Sequence, residues 1–352
     1  MVCKSVDKTW FGHRGVRGLG WAIGLILIFE TLVAFVAPKV ENAAIVIERF
    51  VKKNLLKIPS RCNRLVLGCS RSLHGVIPPI LDEGTSFFTW NLSGPNMQAP
   101  FIYFVARRFL KTHSIPKVIV LNAVGLEFNV KNTGEIYSVY FRYYKPDLWE
   151  CWNAYRWGLR DLWGSAKWYI VPRIPSLRHR KRLNALLATN WRDFGKMMEQ
   201  IPVITRKLKD VYAQGYIPSG TRMLGIDELE SIYSKAEGIW MGCQDPVCLR
   251  YLEAFFRLIR ENNIKVYVYN PPFPECFQES DFFMAKWHRC VSQMDQCIQK
   301  YHPWVERLPN TEFLENRFFA DIYHTSKLGS VRVSMELRAL MDACERGQKT
   351  PE

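Results

Sequence analysis

An α/β fold, with a mostly parallel sheet covered by helices on both faces, is predicted by three observations. Short apolar runs such as "RLVLGC", "KVIVLNAVG" and "NIKVYVYN" alternate with longer amphipathic stretches. Turn residues bound each run. The runs are continuously apolar, as expected of parallel strands buried on both faces. Apolar residues make up 48% of the 352-residue chain and charged residues 23%, the proportions of a folded globular protein.

The elements follow in chain order. "GLGWAIGLILIFETLVAFVA", residues 18–37, contains one ionisable group, Glu30. Twenty residues at 1.5 Å each cover about 30 Å, the thickness of a bilayer core, so this segment is predicted to be a transmembrane helix ended by Pro38. A cleaved signal peptide is the competing reading. Lys4, Lys8, Arg14 and Arg17 make residues 1–17 a basic cytoplasmic tail. The N-terminus is therefore placed inside and the body outside the inner (cytoplasmic) membrane, as a single-pass protein. Glu30 is either a partner contact within the bilayer or a group reaching for water. Residues 38–61, with "NAAIVIERFVKKNLL", read as a stalk helix, and residues 62–345 as the folded domain.

In that domain "RLVLGC" and "SFFTWNLS" are strands, "QAPFIYFVARRFLKTH" a helix and "KVIVLNAVG" a third strand. The helical "LRYLEAFFRLIREN" precedes a fourth strand, "NIKVYVYNPPFP", stopped by two prolines. The last segment, "SKLGSVRVSMELRALMDAC", has helical periodicity and is expected to pack through Leu328, Val331, Met335 and Leu340 or their neighbours. Between about 127 and 235 the alternation fails, which points to a helical insertion. There "LWECWNAYRWGLRDLWGSAKW" places Trp149, Trp152, Leu159 and Trp163 at helical spacing. They form either an aromatic core face or an interfacial surface, the latter suited by Trp among Arg and Lys and by "RHRKR" at 178–182.

A formal charge of +15 implies attraction to anionic surfaces. No zinc-finger spacing or nucleic-acid signature accompanies it, which favours membrane or glycan over nucleic acid. Ten cysteines include Cys243/Cys248 and Cys290/Cys297 as candidate disulfides, but connectivity is not readable from spacing. No metal or organic cofactor is indicated.

The chemistry-bearing residues stand at the two ends of the domain. "LGCSRSLHG" puts Ser70 behind the first sheet strand, and "DIYH" supplies Asp321 and His324 in a loop before the last helix. A serine hydroxyl becomes a nucleophile when a base takes its proton, and a carboxylate on the other ring nitrogen orients that base. Ser72 is the weaker candidate nucleophile, and either serine also suits a helix cap. Arg71 is expected to meet an anionic substrate group or an acidic neighbour. His74 receives no role.

With these residues the chain resembles the SGNH (GDSL-like) hydrolase superfamily. "VLGCSRS" is similar to its first block, with Cys69 where the common motif has Asp, and "DIYHTSKLG" to its last. The resemblance covers about residues 62–128 and 262–342. It is closest to membrane-anchored members: the alginate and peptidoglycan O-acetylation proteins and the teichoic-acid D-alanylation protein. It implies an SGNH-like three-layer fold, with Ser70 as nucleophile, His324 as general base and Asp321 as its orienting carboxylate. For the oxyanion hole it implies Gly94 and Asn96 (or Asn91) in "NLSGPN". In "LNAVGLEF", Val124 stands where the family's asparagine belongs and Asn122 comes two positions early. One lost donor in such a hole costs about 3 kcal/mol of barrier. The implied activity is transfer of an acyl group, acetyl foremost, to a cell-envelope glycan, beside a multi-spanning acyl-donating membrane protein. An esterase of the same fold and a catalytically inactive glycan-binding or partner protein are the alternatives.

Overall fold

The predicted strands pair side by side in a computed structural model that describes residues 13–36, 58–94, 97–122, 140–141, 144–180, 246–321 and 324–346. In chain order the strands are β1 (Arg64–Leu67), β2 (Thr89–Asn91), β3 (Val118–Asn122), β4 (Lys265–Tyr269), β5 (Phe273–Pro274), β6 (Val305–Arg307) and β7 (Phe313–Leu314). Five form one parallel sheet in the order β2-β1-β3-β4-β6, while β5 and β7 pair separately. Leu65 is level with Ile119, and Ile119 with Val266, so the central strands align without slippage.

Alternate residues of these strands serve two cores, as the two-residue repeat of a strand requires. Leu65, Leu67, Ile119, Leu121, Val266 and Val268 face one apolar cluster. It includes Phe101 and Phe104 of α4 (Ala99–Thr112) and Tyr251 and Phe255 of α8 (Pro246–Glu261). Val66, Val120, Tyr267 and Tyr269 face the other, with Leu81 of α3 (Pro78–Asp82) and Val333, Leu337 and Met341 of α10 (Lys327–Glu345). The sheet is thus the middle of three layers. The order of strands reverses beside β1, and in open α/β sheets ligands bind at the carboxyl ends of the strands near such a reversal.

The remaining helices are α1 (His13–Val36), α2 (Ser70–Gly75), α5 (Leu148–Arg156), α6 (Leu162–Ile170), α7 (Pro175–Arg178) and α9 (Asp281–Gln299). Among the described residues, no strand lies between β3 and α8, and no helix is long and apolar enough to cross a membrane. Most of the stalk and much of the insertion lie outside the described residues.

Four expectations change. The last helix does not pack through Leu328 and Met335, which are 59% and 55% exposed. Its buried face is Gly329, Ser330, Val333, Ser334, Leu337 and Met341, because small residues in the first turns let the helix approach its neighbours closely. The tryptophan-rich segment is two helices, not one. Gly158 has a φ of +77° and Asp161 caps α6 by accepting from the Gly164 N–H, so the helical spacing does not run through. Cys151, Ala154, Leu159 and Trp168 turn inward, whereas Trp149, Trp152 and Trp163 are exposed. Cys290 and Cys297 lie seven residues apart on α9, roughly 10 Å along its axis and beyond disulfide reach. Glu30 is bound within the chain: Ser176, in α7, donates to its carboxylate from both backbone N–H (2.8 Å) and hydroxyl.

Candidate active site

β1 stops at Leu67, and Gly68 and Cys69 turn the chain into α2, whose first residue is Ser70. The turn presses against β3. A Cβ on Gly68 would stand 2.7 Å from Asn122 Cβ and 2.5 Å from Ser72 Oγ, so only glycine fits. Cys69 holds the cap position of α2 and no side chain caps this helix. Ser70 is therefore not spent on capping. Its Oγ lies 2.9 Å from His324 Nε2.

The imidazole comes from the loop ahead of α10. Phe319 and Thr325 form an antiparallel bridge, and the Ala320 N–H donates to the His324 carbonyl (2.8 Å). Asp321 and His324 thus share one tight loop. The two Asp321 oxygens accept from His324 Nδ1 at 2.8 and 3.0 Å, and Oδ1 also accepts the His324 backbone N–H (2.9 Å). With the Nδ1 proton held there, Nε2 offers its lone pair to the Ser70 hydroxyl, the arrangement a general base requires. The Asp321 side chain is 51% exposed, so water screens its charge and its main effect is to fix the ring's tautomer and direction.

Close packing of α10 on α2 brings the two segments together. Ser326 caps α10 by accepting from the Gly329 N–H (3.3 Å), and its own N–H donates to the Phe318 carbonyl (2.8 Å). A Cβ on Gly329 would collide with that same carbonyl. One turn on, the Ser330 hydroxyl donates to the His74 carbonyl (2.6 Å), and Ser334 Oγ accepts the Ile77 N–H (2.8 Å). These contacts join residues 256 and 257 positions apart in the chain. Their signal in the sequence is the "GSVRVS" spacing.

The other polar residues of "CSRSLHG" have structural work. Ser72 Oγ is buried and accepts from Asn122 Nδ2 (2.7 Å) and the Tyr269 hydroxyl (2.9 Å), turned away from solvent. Arg71 is buried against the loop that leaves β4. Its Nη2 donates to the carbonyls of Pro271 and Pro272 (2.5 and 2.7 Å), and its guanidinium stacks on Phe273 at 3.7 Å. The residue after Ser70 thereby ties α2 to the loop leaving β4. His74, given no role above, stands edge-on to His324 with ring centroids 4.9 Å apart. Its signal was its place one turn beyond Ser70.

Three of the expected oxyanion donors are otherwise engaged. The Asn122 amide is fully buried and directed at Ser72 and, at 3.7 Å, Cys69 Sγ. The Gly94 N–H donates to the Gly68 carbonyl (3.1 Å). Asn91 donates to the carbonyls of Ser72 and Val76, which makes it a brace for α2. Asn96 lies outside the described residues. The two-residue shift of Asn122 explains its case: it ends β3 inside the sheet rather than standing beyond it.

No protein-family model and no curated protein matches the chain.

Proposed function

We propose that this chain is a membrane-anchored serine acyltransferase of SGNH type that moves an acyl group, acetyl foremost, onto a hydroxyl of a cell-envelope glycan. One observation carries the reading: Ser70 Oγ lies 2.9 Å from His324 Nε2 while Asp321 holds Nδ1 of the same ring. Ser70 Oγ attacks the acyl carbonyl carbon and its proton passes to His324 Nε2. Collapse of the tetrahedral adduct breaks the bond to the leaving group, which takes the proton from His324 and leaves an acyl-serine. A sugar hydroxyl then attacks, giving its proton to His324, and the second collapse returns that proton to Ser70 Oγ. Water in place of the sugar makes the same site an esterase. The parallel sheet, with this site at its carboxyl edge, supports the SGNH assignment. The apolar run 18–37 behind a basic tail supports a single-pass anchor with the body outside the inner membrane.

The engagement of the Gly94 N–H and the Asn122 amide favours a second reading, a protein of this fold without turnover that binds a glycan or a partner. Labelling by a serine-directed fluorophosphonate separates the two. Adduct formation on the native protein and its loss in Ser70→Ala support the enzyme, and equal labelling of both removes Ser70 as nucleophile. Ester content of envelope glycans, with and without the gene, separates transfer (lower content without it) from de-esterification (higher content).

A further inference from the structure

We propose that α6, the turn Val171–Arg173 and α7 form a platform that rests in the headgroup region of an anionic lipid leaflet. The inference rests on the membrane anchor proposed above. Three observations lead to it. First, α1 and the platform are joined at a defined depth. Glu30 accepts both hydrogen bonds from Ser176 of α7, and Val33, one turn on, is buried, so this face of α1 is turned to the protein. Trp21, Leu25, Ile28 and Leu32 on α1 are exposed. Glu30 lies seven residues before the end of the apolar run 18–37, about 10 Å at the helical rise. Interfacial helices sink about 5–10 Å below the headgroup boundary, so a platform fastened at Glu30 sits at that depth.

Second, the platform carries the side chains such a boundary selects. Leu162, Trp163, Ile170 and Leu177 are exposed to between 38% and 64%. Beside them is a groove of about 580 Å³ whose lining includes Trp163, Trp168, Leu177, Arg160 and Lys167. An apolar floor with guanidinium and ammonium groups beside it matches an acyl chain under a phosphate. Third, residues 160–180 hold Arg160, Lys167, Arg173, Arg178 and Arg180 against one carboxylate, Asp161. Asp161 is partly spent on the Gly164 N–H. Each basic residue near an anionic leaflet adds to the electrostatic attraction.

The test uses the full chain in vesicles of phosphatidylglycerol brominated on its acyl chains, with tryptophan emission as the readout. Trp163 is 64% exposed, so Trp163→Phe leaves the core intact. Trp21→Phe reports on α1. The expected result is that each substitution removes part of the bromine-quenched emission. It is also expected that the Trp163 part falls about two-fold or more when brominated phosphatidylcholine replaces phosphatidylglycerol. A quenched fraction lowered by Trp21→Phe but unchanged by Trp163→Phe overturns the platform and leaves the anchor standing. A fraction unchanged by both removes the anchor reading and the platform with it. Equal Trp163 quenching in the two lipids overturns the anionic preference.

Discussion

Ser330 donates its hydroxyl proton to the carbonyl of His74 at 2.6 Å, joining the helix behind the His324 loop to the helix that begins with Ser70. The bond touches no reacting atom, yet it links the two segments that must converge. Ser330→Ala is expected to cost about 1 kcal/mol of stability, the net worth of a buried hydrogen bond. It should also slow fluorophosphonate labelling of Ser70 roughly ten-fold, because small displacements of a nucleophile–base pair are expensive. Urea unfolding and labelling rates of the variant check both. An unchanged labelling rate means that the convergence is held elsewhere.

Asp321→Asn tests the tautomer. The amide has nearly the shape of the carboxylate but can present N–H to His324 Nδ1, which leaves Nε2 protonated and unable to accept from Ser70. Labelling should slow about 10³- to 10⁴-fold. Since the Asp321 side chain is half exposed, circular dichroism and melting should move little. A loss of labelling accompanied by unfolding would show Asp321 to be structural instead.

Gly329→Ala puts a methyl group against the Phe318 carbonyl, with Thr325 Cβ 3.1 Å away. Neither neighbour is the flexible end of a side chain, so the loop or the helix must move. The variant should lose about 2 kcal/mol, and labelling should fall although Ser70, His324 and Asp321 are all still present. A melting temperature equal to the native one would show that the helix is looser here than its contacts imply.

Glu150 supplies a pH test away from the site. Burial pushes its carboxyl up. The Arg108 guanidinium, the Asp147 backbone N–H and the Tyr144 hydroxyl pull the other way without cancelling the rise. In the pH window directly above the usual glutamate value, the folded state holds more protons than the unfolded one. Stability from this group therefore falls as pH rises through that window and levels off above the folded value. Urea titrations from about pH 4 to pH 7, compared between native protein and Glu150→Gln, should show this downward contribution only in the native protein. A difference that grows in favour of the native protein with rising pH would reverse the sign and the account.

The legible parts of the fold were those where local chemistry is decisive. β1, β3 and β4 read directly as short buried apolar runs, and Pro271 and Pro272 mark the end of β4 because neither can continue the ladder. β6 carries little local signal, since "VER" has one fully buried residue, and in α9 the apolar positions are diluted by charge. The helical spacing of the tryptophans runs through Gly158, where the backbone changes direction and breaks the shared face.

The amino-acid sequence alone determined that Asp321 would serve His324, since a loop of two intervening residues is enough to bring a carboxylate to the imidazole beside it. The family resemblance pointed to Ser70 and left Ser72 the weaker candidate, but no local spacing separates the two. Two positions on a helix differ by about 200° in direction, so one hydroxyl meets His324 and the other the buried Asn122 and Tyr269. Which serine faces the base depends on how α2 is rotated against the sheet. That rotation is set by Gly68, Arg71 and Ser330 through contacts with distant parts of the chain, and no local spacing encodes it.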